Sequence, residues 1–208
     1  MTAIKSRIKN PLFFVRHGQS EGQINPSLYK LLGDENLELT PLGIDQAKQV
    51  GKLLASRFKK EGFESPIIFH AQSERTLATA RHIAMAFNGA SLIGDEKLNK
   101  QSFGVFNGLL TSKERKDAYP ELQAAFERSR ELKGDIHCAA PQGESIHDVI
   151  ERVSAFLQTS CAPSRRPVIA VTHGLQVLCA DKIINARSDS WLLEAQDSLP
   201  NGHILELN

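Results

Sequence analysis

The chain has 208 residues, 41% apolar and 24% charged, enough to bury one sizeable core at an ordinary globular composition. Its 25 basic and 24 acidic residues leave a formal net charge of +1 and are mixed along the sequence, which excludes the basic field that non-specific nucleic-acid binding needs. No stretch approaches the roughly 20 apolar residues that span a bilayer, and MTAIKSRIKNP at the start has positive charge with no apolar region behind it, so the expectation is a cytoplasmic protein with no membrane partner.

LFFV (12–15) is a short apolar run without alternation, as expected of a strand covered on both faces of a parallel sheet. LTPLGIDQAKQVGKLLASRFKK follows as an amphipathic helix. Thr40 can cap it, Pro41 takes its first position, and Leu42, Ala47, Val50, Leu53 and Leu54 form the predicted apolar stripe. PIIFH (66–70) reads as a second strand, and SERTLATARHIAMAF as a helix with Leu77, Ala80, Ile83 and Ala84 at helical spacing. Between Gly89 and Gly143 the pattern loosens, with a helix predicted around residues 112–132; this segment reads as a cap-like insertion over the sheet. GESIHDVIERVSAFLQ is again helical, with Ser145 as cap and Asp148 three positions on. PVIAVT (167–172) is the next strand, GLQVLCADKII the helix after it, and the alternating HILEL an edge strand. Strands alternating with helices predict an α/β three-layer sandwich over residues 1–208, a single domain with a mainly parallel sheet, helices on both faces and an antiparallel edge strand.

Two strands in this pattern end in His-Gly: FFVRHGQS and VIAVTHGLQ. In a parallel sheet, ligands bind beyond the C-terminal strand ends. If the strands ending at Val15 and Thr172 are neighbours, roughly 4.8 Å apart, His17 and His173 converge on one pocket. Gly18 and Gly174 would let the backbone turn and bring N–H groups close to a ligand. Arg16 places a guanidinium beside the first histidine, and Arg75, opening the helix after the second strand, can reach the same rim. Two arginines, two imidazoles and helix N-termini describe a site for a tetrahedral dianion, best matched by phosphate. A neutral imidazole held by a main-chain carbonyl could attack phosphorus while the other groups stabilise the equatorial oxygens.

The ordered set RHGQS, LTPLGIDQA, SERTLATA, GESIHDVIERV and VTHG resembles the histidine phosphatase (phosphoglycerate mutase-like) superfamily, and the QSFG and PNG segments make it most similar to the smaller phosphatase-like members of branch 1. The resemblance implies hydrolysis of a small phosphorylated substrate through a phosphohistidine on His17. It implies that Arg16, Arg75 and His173 bind phosphate, with Ser20, Gln23, Gly174 and Lys100 as further contacts, and that no metal or other cofactor is needed. Gln23 stands where such proteins often carry an asparagine.

One departure bears on chemistry. KLNKQSFGVFNG places Lys100 where the family carries the glutamate that protonates the leaving alcohol and later helps activate water. A protonated ammonium can donate but has no lone pair with which to take a proton from water. Glu21, Asp34, Glu35 and Glu96 are the carboxylates from which a replacement could come. Three readings therefore stand: a phosphomonoesterase, a mutase moving a phosphoryl group between hydroxyls, and a catalytically weakened phosphate-binding module. Glu144 can cap its helix or orient an arginine. Phe103 and Phe106 read as packing residues, and Lys113, Arg115 and Lys116 could steer an anion. His70, His82, His137, His147 and His203 lack ligand spacing, and Cys138, Cys161 and Cys179 fit neither a disulfide framework nor a zinc pattern; they read as free thiols, Cys179 on a buried helix face.

Overall fold

The fold is given by a computed structural model that describes residues 11–159, 166–196 and 198–207. The apolar run near the start becomes β1 (Leu12–Arg16), and its side chains divide by strand alternation: Leu12 and Phe14 enter one core, Phe13 and Val15 the other. Two single turns, α1 (Glu21–Ile24) and α2 (Leu28–Leu31), and a 3₁₀ turn at Asp34–Asn36 lead to α3 (Pro41–Glu61). Thr40 caps α3 by accepting from the Gly43 amide at 3.0 Å, and Pro41 takes the first position, both as expected.

The apolar stripe of α3 needs correction. Its buried side is Gly43, Ala47, Val50, Gly51, Leu54 and Phe58, while Leu42 and Leu53 are exposed. At 100° per residue, Leu53 cannot share the face that Leu54 turns to the sheet with Val50 and Phe58.

The chain continues through β2 (Ile67–His70), α4 (Glu74–Ala84) and β3 (Ser91–Gly94). Sequence reading missed β3. It pairs only with β2, at the sheet edge, and its Leu92 and Ile93 are exposed, so no burial pattern marks it. The helix expected around residues 112–132 is two helices, α5 (Ser112–Ala118) and α6 (Pro120–His137), because Pro120 cannot supply the N–H that would continue α5 and instead opens α6. Then come α7 (Ile146–Thr159), β4 (Val168–Thr172), α8 (Gly174–Asn185), a further unforeseen helix α9 (Asp189–Ala195), and the short β5 (Ile204–Glu206). The Ser145 hydroxyl accepts from the Asp148 amide at 3.1 Å and the Asp148 carboxylate accepts from the Ser145 amide at 2.7 Å, the reciprocal cap the sequence suggested.

The strand order is β3-β2-β4-β1-β5, parallel except for β5, which runs antiparallel to β1. α3 and α4 cover one face, over Phe13, Val15, Ile68, Ile169 and Val171. α7, α8 and α9 cover the other, over Phe14, Phe69, Val168 and Ala170. Cys179 is buried in that second core, Cys138 is also a buried free thiol, and Cys161 lies outside the described residues. β1 and β4 are direct neighbours, with Val15 opposite Val171 and Arg16 opposite Thr172. After β1 the chain turns to the α3 face; after β4 it turns to the α8 face. The two exits diverge and open a crevice at the C-terminal ends of these strands.

Candidate active site

Both His-Gly turns open on that crevice. The His17 amide donates to the Thr172 carbonyl at 2.9 Å, so the sheet ladder runs up to the first histidine. The turn beyond is held by α4 and by the start of α3. The Gly18 amide donates to the Thr79 hydroxyl at 3.1 Å, and the Thr40 amide to the Gln19 carbonyl at 2.9 Å. A Cβ on Gly18 would lie 2.2 Å from the Gly43 carbonyl oxygen, and one on Gly43 would lie 2.0 Å from that of Gln19. Close approach, rather than a sharp turn, is what demands glycine here. Gly174 differs: a Cβ there would make ordinary contacts of 3.7 Å with the Arg16 guanidinium.

The two imidazoles are 6% and 5% exposed, with ring centroids 5.1 Å apart and planes at 71°. His17 Nδ1 lies 2.7 Å from the Gly18 carbonyl oxygen. A carbonyl only accepts, so Nδ1 carries the proton and Nε2 keeps its lone pair. His173 is the reverse. Its Nδ1 lies 3.4 Å from Nη2 of Arg75, and a guanidinium only donates, so Nδ1 is the acceptor and Nε2 bears the hydrogen. That Nε2 is buried with no partner among the described residues. Burial, reinforced by the Arg75 charge, pushes His17 down to about 3. Burial also holds His173 well below the usual imidazole range, helped by His17 and Arg75. Both rings are neutral near pH 7.

Arg75 is 1% exposed and reaches the crevice from the first turn of α4. Its Nη2 also donates to Asp34 Oδ2 at 2.7 Å, and its Nη1 to the Asp34 carbonyl oxygen. The other carboxylate oxygen of Asp34 accepts from Lys100 Nζ at 2.6 Å, and that ammonium lies 4.8 Å from the centre of the Tyr29 ring. Burial pushes the Asp34 carboxyl up, but Arg75 and Lys100 outweigh it and hold the group below the usual carboxylate range. Arg16 is half-buried and donates through Nη1 to the Leu199 carbonyl. A cavity of about 510 Å³ opens above, lined by Tyr29, Asp34, Lys100, Phe103, Arg115 and His173 among others. That volume suits a small organic ligand.

Residues 12–191 match the model of the histidine phosphatase superfamily, branch 1. The chain belongs to this superfamily. It is 32% identical to phosphoglycerate mutase-like protein AT74 of Arabidopsis thaliana over 208 residues, covering 91% of this chain and 61% of that protein. It thus spans about three-fifths of the length of this relative, and 54% of a second Arabidopsis protein, AT74H, at 27% identity over 74% of this chain. The 2,3-bisphosphoglycerate-dependent phosphoglycerate mutase of Rhizobium etli is 30% identical over 78% of this chain and 74% of its own. The structure of the Shigella flexneri alpha-ribazole phosphatase covers 94% of this chain and 89% of its own with a TM-score of 0.69 at 19% identity, a likeness of fold. Phosphoserine phosphatase from Entamoeba histolytica covers 94% and 89% with a TM-score of 0.63 at 25% identity.

Within this superfamily member, His17, His173, Arg16, Arg75 and Lys100 gather at the crevice, while two other expected contacts turn elsewhere. The Gln23 side-chain carbonyl accepts from the Ser20 amide at 3.0 Å, and its amide pairs with Asn201, which also donates to the His17 carbonyl at 3.1 Å. Gln23 therefore braces the loop behind the first histidine, and Ser20 is fully buried beneath it. Glu144 does orient an arginine: it accepts from Arg152 Nε at 2.8 Å and from the Ser102 amide at 3.0 Å, tying the Lys100 loop to the start of α7. Phe106 is buried and Phe103 lies partly exposed on the cavity wall. Of the four candidate carboxylates, only Asp34 bonds to the arginine–histidine cluster. Tyr29, Asn201 and Leu199 were not singled out as contacts in the sequence, although the PNG segment contains Asn201.

Proposed function

We propose that this protein hydrolyses phosphomonoesters of small molecules through a phosphohistidine on His17. The observation that carries this reading is the opposed protonation of two buried, neutral imidazoles: one Nε2 offers a lone pair, the other an N–H, across one crevice edge. His17 Nε2 attacks phosphorus, and the Gly18 carbonyl stabilises the positive charge that develops on the ring. His173 Nε2–H and the guanidinium forks of Arg16 and Arg75 bind the equatorial oxygens, where charge accumulates. The leaving group extends into the cavity, which residues 99–110 and Arg115 cap from one side and the loop carrying Tyr29 and Asp34 closes from the other. Superfamily membership and phosphatase neighbours of like fold support the same reaction class.

Brief incubation with a ³²P-labelled phosphoester followed by denaturation is expected to leave an acid-labile, base-stable label that is absent from His17→Ala. Turnover by wild-type protein with no label at any time point would refute the covalent step.

A second reading, transfer between hydroxyls of one substrate, draws on the Rhizobium etli relative. It shares the phosphohistidine and differs in what accepts the phosphoryl group. Comparing isomerisation with phosphate release from one glycerate phosphate separates the two.

A further inference from the structure

Taking the phosphohistidine reading as the base, the cavity must also provide a proton for the leaving oxygen. In phosphoryl transfer the entering and leaving atoms lie roughly in line. With His17 on the crevice floor, the departing oxygen points into the cavity. Besides His173, whose Nε2–H is already assigned to an equatorial oxygen, the groups there that carry a transferable proton, or could, are Tyr29, Asp34, Glu35, Lys100 and Arg115.

Chemistry removes four of them. Asp34 has both carboxylate oxygens committed to cations, which keep it ionised. The guanidinium of Arg115 does not surrender a proton. Burial pushes the Tyr29 hydroxyl above its ordinary range, so it surrenders its proton less readily than a free phenol, and its ring face lies beneath the Lys100 ammonium. Glu35 lines the cavity but makes no hydrogen bond to Arg75, His173 or Lys100, so nothing aims it at the phosphoryl site. Lys100 remains. It is tied through one carboxylate to the guanidinium that binds phosphate: Arg75 Nη2 to Asp34 Oδ2 at 2.7 Å, and Asp34 Oδ1 to Lys100 Nζ at 2.6 Å.

We propose that Lys100 is the proton donor to the leaving group, with Asp34 as the positioning residue that fixes its ammonium relative to Arg75. As the P–O bond breaks, its electron pair goes to the alcohol oxygen, which takes a proton from Lys100 Nζ; the lone pair of His17 Nε2 forms the P–N bond. An ammonium is a stronger acid than an aliphatic alcohol, so transfer to the forming alkoxide is favourable. Lys100 is left as an amine, and its lone pair supplies what the ammonium lacked. In the second half-reaction water attacks phosphorus and gives a proton to that amine. The P–N bond breaks with its pair returning to Nε2, and inorganic phosphate leaves. The proton lent in the first step is recovered in the second, so one lysine serves both.

The test exploits leaving groups that differ in their need for a proton. p-Nitrophenolate departs unaided, whereas butoxide does not. Rate constants for ³²P labelling of His17 are measured with p-nitrophenyl phosphate and n-butyl phosphate in the wild-type protein and in Lys100→Met and Lys100→Arg. Removing a general acid costs about 10²–10⁴ in rate, so the butyl-to-nitrophenyl ratio is expected to fall at least tenfold in both variants. Lys100→Arg keeps the charge and can still pair with Asp34, but not the transferable proton. Equal loss on both esters would overturn the proposal in favour of phosphate binding alone. Unchanged rates on both esters would place the donor elsewhere, with Glu35 the next candidate, and a ratio preserved only in Lys100→Arg would assign an electrostatic function. Each of these leaves the label on His17, whereas wild-type protein unlabelled by either ester would overturn the phosphohistidine reading itself, and this proposal with it.

Discussion

The His17 and His173 rings meet edge to face, 5.1 Å between centroids, each committing Nδ1 to the protein in the opposite role, as donor in His17 and as acceptor in His173. Keeping both neutral in a buried site makes stability depend on pH. Folding lowers His17 to about 3 and His173 well below 6.5. Below about pH 6.5 the unfolded chain binds protons on both rings and the native protein does not, so stability rises with pH through this window. The contribution is complete above the unfolded value and is lost as pH falls towards the folded ones. Each ring adds a slope of up to about 1.4 kcal/mol per pH unit. Urea unfolding at pH 7, 6 and 5 is expected to show the fall in wild type, and His17→Gln is expected to lessen the slope by about one such increment. An unaltered slope in the variant would show that the His17 imidazole titrates alike in both states.

Gly43→Ala separates two opposed effects. Helix propensity alone favours alanine over glycine within α3 by about 1 kcal/mol. The new Cβ would meet the Gln19 carbonyl oxygen at 2.0 Å, however, and backbone cannot yield as a side-chain tip does. Overpacking of this kind costs about 1–3 kcal/mol, so the clash wins. A melting temperature lowered by several degrees is expected, with phosphatase activity down at least tenfold because the displaced loop carries His17. A stabilised, active variant would mean that the two backbones separate freely.

Legibility in the sequence followed the range of the interaction that decided each feature. β1, the Thr40 cap and the Ser145–Asp148 cap rest on neighbours within a few positions, and all were readable. The convergence of His17 and His173 was readable because parallel register carries strand ends to one edge whatever lies between. The Arg75–Asp34–Lys100 tie was not, since it joins three irregularly spaced residues through two loops without periodicity. β3 was invisible for another reason: an edge strand with exposed leucine and isoleucine imposes no hydrophobic pattern.

Asp34 holds a carboxylate on the same Arg75 guanidinium that the phosphoryl dianion is proposed to use. Substrate therefore binds against a neighbouring negative charge that Lys100 only partly offsets. Asp34→Asn removes that charge while keeping the size. Like charges about 4–6 Å apart near a protein surface repel by a few kcal/mol before such offsets. Inhibition by inorganic phosphate or vanadate is thus expected to tighten on the order of tenfold, measured against p-nitrophenyl phosphate. Turnover of alkyl phosphates is expected to fall in the same variant, because Lys100 loses its anchor. Weaker phosphate inhibition would mean that Asp34 orients Arg75 more than it competes with the ligand.

Glu144 acts on the same lysine from behind. Its carboxylate accepts from Arg152 Nε at 2.8 Å and from the Ser102 amide at 3.0 Å, while Arg152 Nη1 donates to the Lys97 carbonyl at 2.7 Å. The loop from Lys97 to Ser102 is thereby clamped at both ends to α7, with Lys100 between. Arg152 and Glu144 are partly buried, with side chains 17% and 27% exposed, so leaving one partner without the other is costly. Glu144→Gln places a neutral amide against those donors, and a loss of about 1–3 kcal/mol is expected in urea unfolding. Because the clamp sets the position of Lys100, turnover of n-butyl phosphate should fall more than that of p-nitrophenyl phosphate. Arg152→Met should act alike, and the double variant should lose less than the sum, since both substitutions release one clamp. Additive losses, or equal effects on the two esters, would show that this ion pair stabilises α7 without governing the loop.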